Sequence, residues 1–114
     1  MPRALSFLIP LAVLAAPLAV PITALAAEQE FVIVISNHKF EPSEVTVPAN
    51  ENVSLVIDNR DSTAEEFESK SLKREKVVAG KSKATIVVGP LAPGRYPFVG
   101  EYNEKTAQGV VVAK

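Results

Sequence analysis

Six side chains of the chain have types and spacing suited to holding a cation. Glu65, Glu66 and Glu68 lie in one short stretch, Glu101 and Glu104 in another, and His38 is the single histidine. Carboxylate oxygens with one imidazole suit harder cations such as ferric or ferrous iron and manganese, and they tolerate cupric copper. Softer ligation is closed, because the chain has no cysteine and its single methionine is Met1. Thiolate metal chemistry, thiol redox and cysteine nucleophiles are excluded with it. An ordinary reading stands beside the ionic one. Acidic residues populate any solvated surface, and His38, between Asn37 and Lys39, also fits an exposed turn.

Enzyme chemistry finds no motif. No P-loop, HExxH or EF-hand pattern occurs, and no nucleophile-elbow glycines surround a serine for His38 to activate. Glu65 and Glu101 are a carboxylate pair of the kind that performs acid–base work, yet so small a domain leaves little room for a substrate cleft. The chain is expected not to be an enzyme and to have no small-molecule substrate. A net charge of −1 with both signs interspersed gives no basic surface for nucleic acid.

The elements that must position these side chains begin after an unusual N-terminus. Arg3 precedes an apolar run from Leu5 to Ala27 that ends in Ala24-Leu25-Ala26, with Glu28 and Glu30 following. That order matches a secretory signal, with cleavage expected between Ala26 and Ala27. The run is also long enough for a permanent membrane anchor. Pro10, Pro17, Pro21 and the lack of a basic flank after Ala27 argue against one. Residues 1–26 are therefore read as a signal peptide and 27–114 as one exported domain. A domain of that size without disulfides must rely on packing or on a bound ion.

Short β-patterned runs follow one another along this domain. Phe31 to Ile35 is β-branched and aromatic; Val45 and Val47, then Val53, Leu55 and Ile57, alternate with polar residues. Such alternation marks half-buried strands. Val77-Val78, Thr85 to Val88, Arg95 to Val99 and Val110 to Ala113 supply the rest, punctuated by turns at Gly80, Gly89 and Gly94. Ser62 to Lys76, polar and without a clear period, reads as a loop pinned by Phe67 and Leu72. Phe31, Phe40, Phe67, Tyr96 and Phe98 read as core. The fold class is all-β, a sandwich or barrel.

The order of these signals resembles the cupredoxins. Phe40-x-Pro42 with Val45-Thr46-Val47-Pro48 is similar to that family's first corner, and Val53 to Asn59 to its strand before the first ligand loop. Gly94-x-Tyr96-x-Phe98 is similar to the strand entering the second loop. A narrower resemblance, to EfeO-type cupredoxin-like domains of bacterial iron-uptake systems, rests on four segments. These are Glu65 to Ser69, Leu72-x-Arg74-Glu75-Lys76, Gly89 to Tyr96, and Gly100-Glu101-Tyr102-Asn103-Glu104-x-Thr106-Ala107-x-Gly109.

The resemblance implies a Greek-key β-sandwich whose two ligand loops converge at one end. A blue copper centre needs two histidines, a cysteine thiolate and a weak axial methionine. At the matching positions this chain carries Glu65, Asn103, Gly100 and, nearby, Ala107, so no blue copper centre is possible. Acidic residues stand in their place. The resemblance implies an iron ion, or a copper ion, held by Glu65, Glu68 and Glu101, with Glu66, Glu104 and His38 as further ligands. Tyr102 and Asn103 would serve as hydrogen-bond partners or as oxygen donors. The implied role is a periplasmic metal-handling accessory protein serving a membrane iron permease or other iron-uptake components. Two other readings stay open: a metal-free module that binds a partner protein, with Lys70, Lys73, Arg74 and Lys76 as a basic surface, and a cupric-copper carrier using His38.

Overall fold

The computed structural model describes residues 28–114; the expected signal peptide lies outside the described residues. Nine strands follow in chain order: β1 Gln29–Ser36, β2 Lys39–Glu41, β3 Glu44–Val47, β4 Val53–Asn59, β5 Glu65–Ser69, β6 Arg74–Val78, β7 Ser82–Val88, β8 Gly94–Gly100 and β9 Gln108–Ala113. A 3-10 turn, Glu101–Asn103, lies between the last two. Among the described residues no helix is long and apolar enough to cross a membrane.

The strands form two sheets, ordered β2-β1-β4-β7 and β3-β9-β8-β5-β6. β1 runs parallel to β4 and β3 parallel to β9, while the other pairs are antiparallel. Period-2 alternation turns one side of each strand inward. Ile33, Ile35, Leu55, Ile57 and Val88 from the first sheet meet Val47, Phe67, Val78, Phe98 and Val111 from the second in a buried core. Phe98 stacks on Phe67 with ring centroids 4.9 Å apart and receives Phe40 edge-on at 4.9 Å. Phe31 and Tyr96 pack against this core only partly buried.

One sequence expectation is corrected here. The stretch Ser62–Lys76 is mostly a hairpin, with Glu65 paired to Val78 and Ser69 to Arg74. The inward row of its first strand is Glu65, Phe67 and Ser69, all buried. Two polar residues in that row hid the alternation. Each is satisfied: the Ser69 hydroxyl donates to the Pro97 carbonyl at 2.7 Å, and Glu65 accepts three donors.

Asn59 fixes how the chain passes from one sheet to the other. Its wholly buried amide donates to the carbonyls of Thr63 at 2.9 Å and Val78 at 3.1 Å. Gly80 lies against the Ser62 backbone so closely that a Cβ would collide with the carbonyl. Gly89 has φ +105°, a conformation that favours glycine.

A candidate metal site on the outer face of the second sheet

β5 splits the predicted ligands by parity. Residues 65, 67 and 69 point into the sandwich, whereas 66 and 68 point out. Sequence neighbours therefore occupy different environments.

Glu65 is 1% exposed. Its Oε1 accepts the backbone N–H of Glu66 at 3.0 Å and of Tyr102 at 2.9 Å, and its Oε2 accepts Asn103 Nδ2 at 2.6 Å. Three N–H donors satisfy a buried carboxylate without a metal. Gly100 and Ala107 close the same space. A Cβ built on Gly100 would lie 2.7 Å from Glu65 Cδ and 2.6 Å from Ala107 Cβ. The four positions that correspond by resemblance to the copper ligands thus do come together, as Glu65, Gly100, Asn103 and Ala107. A carboxylate with its hydrogen bonds fills the space between them. These residues do not fit a blue copper ion, which needs a thiolate and imidazoles.

The outward row of β5 looks onto other carboxylates. Oxygens of Glu66, Glu75 and Glu101 all lie within 4.8 Å of one another. Among the described residues no other group of three or more His, Asp or Glu side chains meets that test. Glu66 is 9% exposed, and no ion pair among the described residues involves it. Hydrogen bonding to Glu75, desolvation and hydrogen bonding to Glu101 push its carboxyl up to about 7. Hydrogen bonding to Glu101, then desolvation, also raises Glu68. The Tyr102 phenol is raised by desolvation and by the adjacent Glu66. Three negative groups at this spacing repel one another unless a proton or a cation lies between them.

Glu75 was missed by sequence reasoning because its stretch read as a loop. As a hairpin, β5 and β6 place Glu68 opposite Glu75 in register, which puts Glu66, Glu68 and Glu75 on one face. Glu104 lies outside the cluster. It borders a groove of about 470 Å³ with Glu68, Lys70, Val99 and Gln108. His38 lies outside as well. It occupies the turn between β1 and β2, half exposed, with Nδ1 3.6 Å from Asp61 Oδ2. Of the six expected ligands, Glu66 and Glu101 are brought together with Glu75, Glu68 stands beside them, and Glu65 is buried behind them.

A family model described as "Cupredoxin-like domain" matches residues 5–113. The chain belongs to the cupredoxin-like domain family. Among curated proteins it is similar to the uncharacterized protein RP394 of Rickettsia prowazekii (strain Madrid E), at 43% identity over 83 residues. The match covers 73% of this chain and 66% of that protein's length. Among solved structures it is similar to the metal-binding domain of the Cu(I)-exporting P-type ATPase CopA of Streptococcus pneumoniae D39 (TM-score 0.66, 11% identity, 75% of this chain and 84% of that one). It is also similar to auracyanin A, a blue copper protein of Chloroflexus aurantiacus (TM-score 0.61, 14% identity, 75% and 98%). At such identities the likeness establishes the cupredoxin fold. By the resemblance, the difference between this family member and a blue copper protein lies at Glu65, Gly100, Asn103 and Ala107.

Proposed function

We propose that this cupredoxin-like domain is an exported metal-handling accessory protein. In this reading it carries a hard cation on the outer carboxylates Glu66, Glu75 and Glu101, with Glu68 alongside. The cargo is iron, or cupric copper, passed to a membrane permease of an iron-uptake system. The supporting observation is the state of Glu66, nine-tenths buried, without a cationic partner among the described residues, and faced by two further carboxylates within 4.8 Å. Oxygen-only donors favour ferric, ferrous and manganous ions over cuprous copper. The narrower resemblance to iron-uptake domains favours iron among these.

Calorimetric titration of the purified protein with ferrous, ferric, manganous and cupric ions tests the reading. Binding at micromolar levels that is lost in Glu66→Gln and Glu75→Gln supports it. No binding of any of the four ions overturns it.

A second reading, a metal-free docking module, is favoured by the exposure of Val77 (51%) and Tyr102 (54%). Val77 pairs with Glu66 in the ladder, so apolar surface adjoins the acidic cluster. A partner presenting lysine or arginine beside an apolar side chain would fit. Such a partner would bind more weakly as salt rises, whereas cation binding would be absent from the titration.

A further inference from the structure

We infer that Glu65 is the positioning residue of the outer cluster: its buried carboxylate ties β5 to the 3-10 turn and so sets Glu66 and Glu101 side by side. This rests on the cation-site reading of that cluster. The backbone ladder stops one residue short of the pair Glu66 and Glu101. The β5–β8 ladder extends over Phe67↔Gly100 and Glu68↔Val99, and the chain leaves it at Glu101. Beyond that point the loop holds itself, through Gly100 N–H to the Ala107 carbonyl at 2.9 Å and Ala107 N–H to the Asn103 carbonyl at 2.8 Å.

The Glu65 side chain bridges the gap. One oxygen takes the N–H groups of Glu66 and Tyr102 at 3.0 and 2.9 Å, and the other takes Asn103 Nδ2 at 2.6 Å. Two of these donors adjoin the cluster residues in sequence, Glu66 itself and the residue after Glu101. A carboxylate with every contact committed to N–H donors orients its neighbours and has no oxygen turned to the outer face. Glu65 is thereby a fixed cross-link between the two ligand-bearing segments and stands apart from the ligands.

Two substitutions separate cross-linking from charge. Glu65→Gln and Glu65→Ala remove the same negative charge. Gln keeps an oxygen for the Glu66 and Tyr102 N–H groups, and a flipped Asn103 amide can accept from its new Nε2. Manganous ion is the probe, measured by calorimetry, with amide hydrogen exchange at Tyr102 as a second readout. The expected result is that Glu65→Gln binds manganese at least about tenfold more tightly than Glu65→Ala, with the Tyr102 amide slow to exchange in Gln and fast in Ala. Equal affinity in two folded variants overturns the inference. So does a Glu65→Gln loss as large as that of Glu66→Gln, which would make Glu65 a ligand.

If Glu65→Ala does not fold, Asn103→Ala carries the comparison, and wild-type affinity in that variant overturns the inference. Absence of binding of manganous, ferrous, ferric and cupric ions alike to the wild-type protein, with a slow Tyr102 amide, overturns the positioning role together with the cation reading and leaves the hydrogen-bonded tie. A fast Tyr102 amide in the wild type overturns the tie itself.

Discussion

Glu66 on β5 and Glu75 on β6 bring their carboxylate oxygens within 4.8 Å of each other, although neither is the other's ladder partner. Glu66 pairs with Val77, and Glu75 with Glu68. The approach is diagonal across one face of the hairpin, within reach of long side chains. Like charges in that relationship destabilise a hairpin unless something offsets them, and without a cation a proton does so.

Stability of the metal-free protein is therefore expected to fall as pH rises through neutrality. The folded Glu66 carboxyl is raised from 4.5 to about 7 by its hydrogen bonds and desolvation. Between those values the folded chain holds a proton that the unfolded chain has released, so the unfolding free energy decreases with pH. The raised Glu68 acts in the same direction. Thermal melts from about pH 5 to about pH 8 should show a falling Tm, and Glu66→Gln should flatten the slope. A Tm that rises across this interval in the wild type would contradict the shared-proton account.

The buried Asn59 gives a prediction about the scaffold alone. Its Nδ2 holds the Thr63 and Val78 carbonyls where the chain crosses between sheets. Asn59→Leu would strand those acceptors, so a loss of about 2–4 kcal/mol is expected. Urea denaturation measures it.

The sandwich was legible in the sequence because its strands alternate hydrophobic and polar residues in short runs. Ile33, Ile35, Leu55 and Ile57, all fully buried, announce their faces by period. The hairpin of β5 and β6 was not legible, because the inward row there is Glu65, Phe67 and Ser69. A buried carboxylate looks in sequence like a solvated one. What makes it an interior residue is a set of donors, Tyr102 and Asn103, from far along the chain. The same blindness hid Glu75, whose face is set by pairing with Glu68. His38 had the residue type of a ligand, but whether other donors surround an imidazole depends on where the strands end.

Gly100 is expected to resist any side chain. A methyl there would meet Ala107 Cβ at 2.6 Å and Glu65 Cδ at 2.7 Å, both inside van der Waals contact and both in a packed interior. Gly100→Ala should cost about 1–3 kcal/mol through overpacking. Displacement of Glu65 should also expose the Tyr102 amide, so hydrogen exchange there should quicken even in molecules that remain folded. Unchanged stability and exchange would show that the loop has room to move aside.

Asp61 organises the turn that carries His38. Its Oδ1 accepts the Asn37 N–H at 2.8 Å and its Oδ2 the His38 N–H at 2.9 Å. Both residues have positive φ, 53° and 58°, a conformation that side chains other than glycine rarely adopt. The His38 backbone bond is the main reason the Asp61 carboxyl is held below its ordinary 3.8. A depressed folded value adds stability above the unfolded one and loses it as pH falls through the folded one. Asp61→Ala should therefore cost about 1–3 kcal/mol at neutral pH. The gap between mutant and wild type should close in strong acid, where the carboxylate is protonated in both states. Melting curves at pH ~7 and pH ~2 make the comparison. A gap of equal size at both values would assign the cost to lost packing, and a charged carboxylate would no longer be what holds the turn.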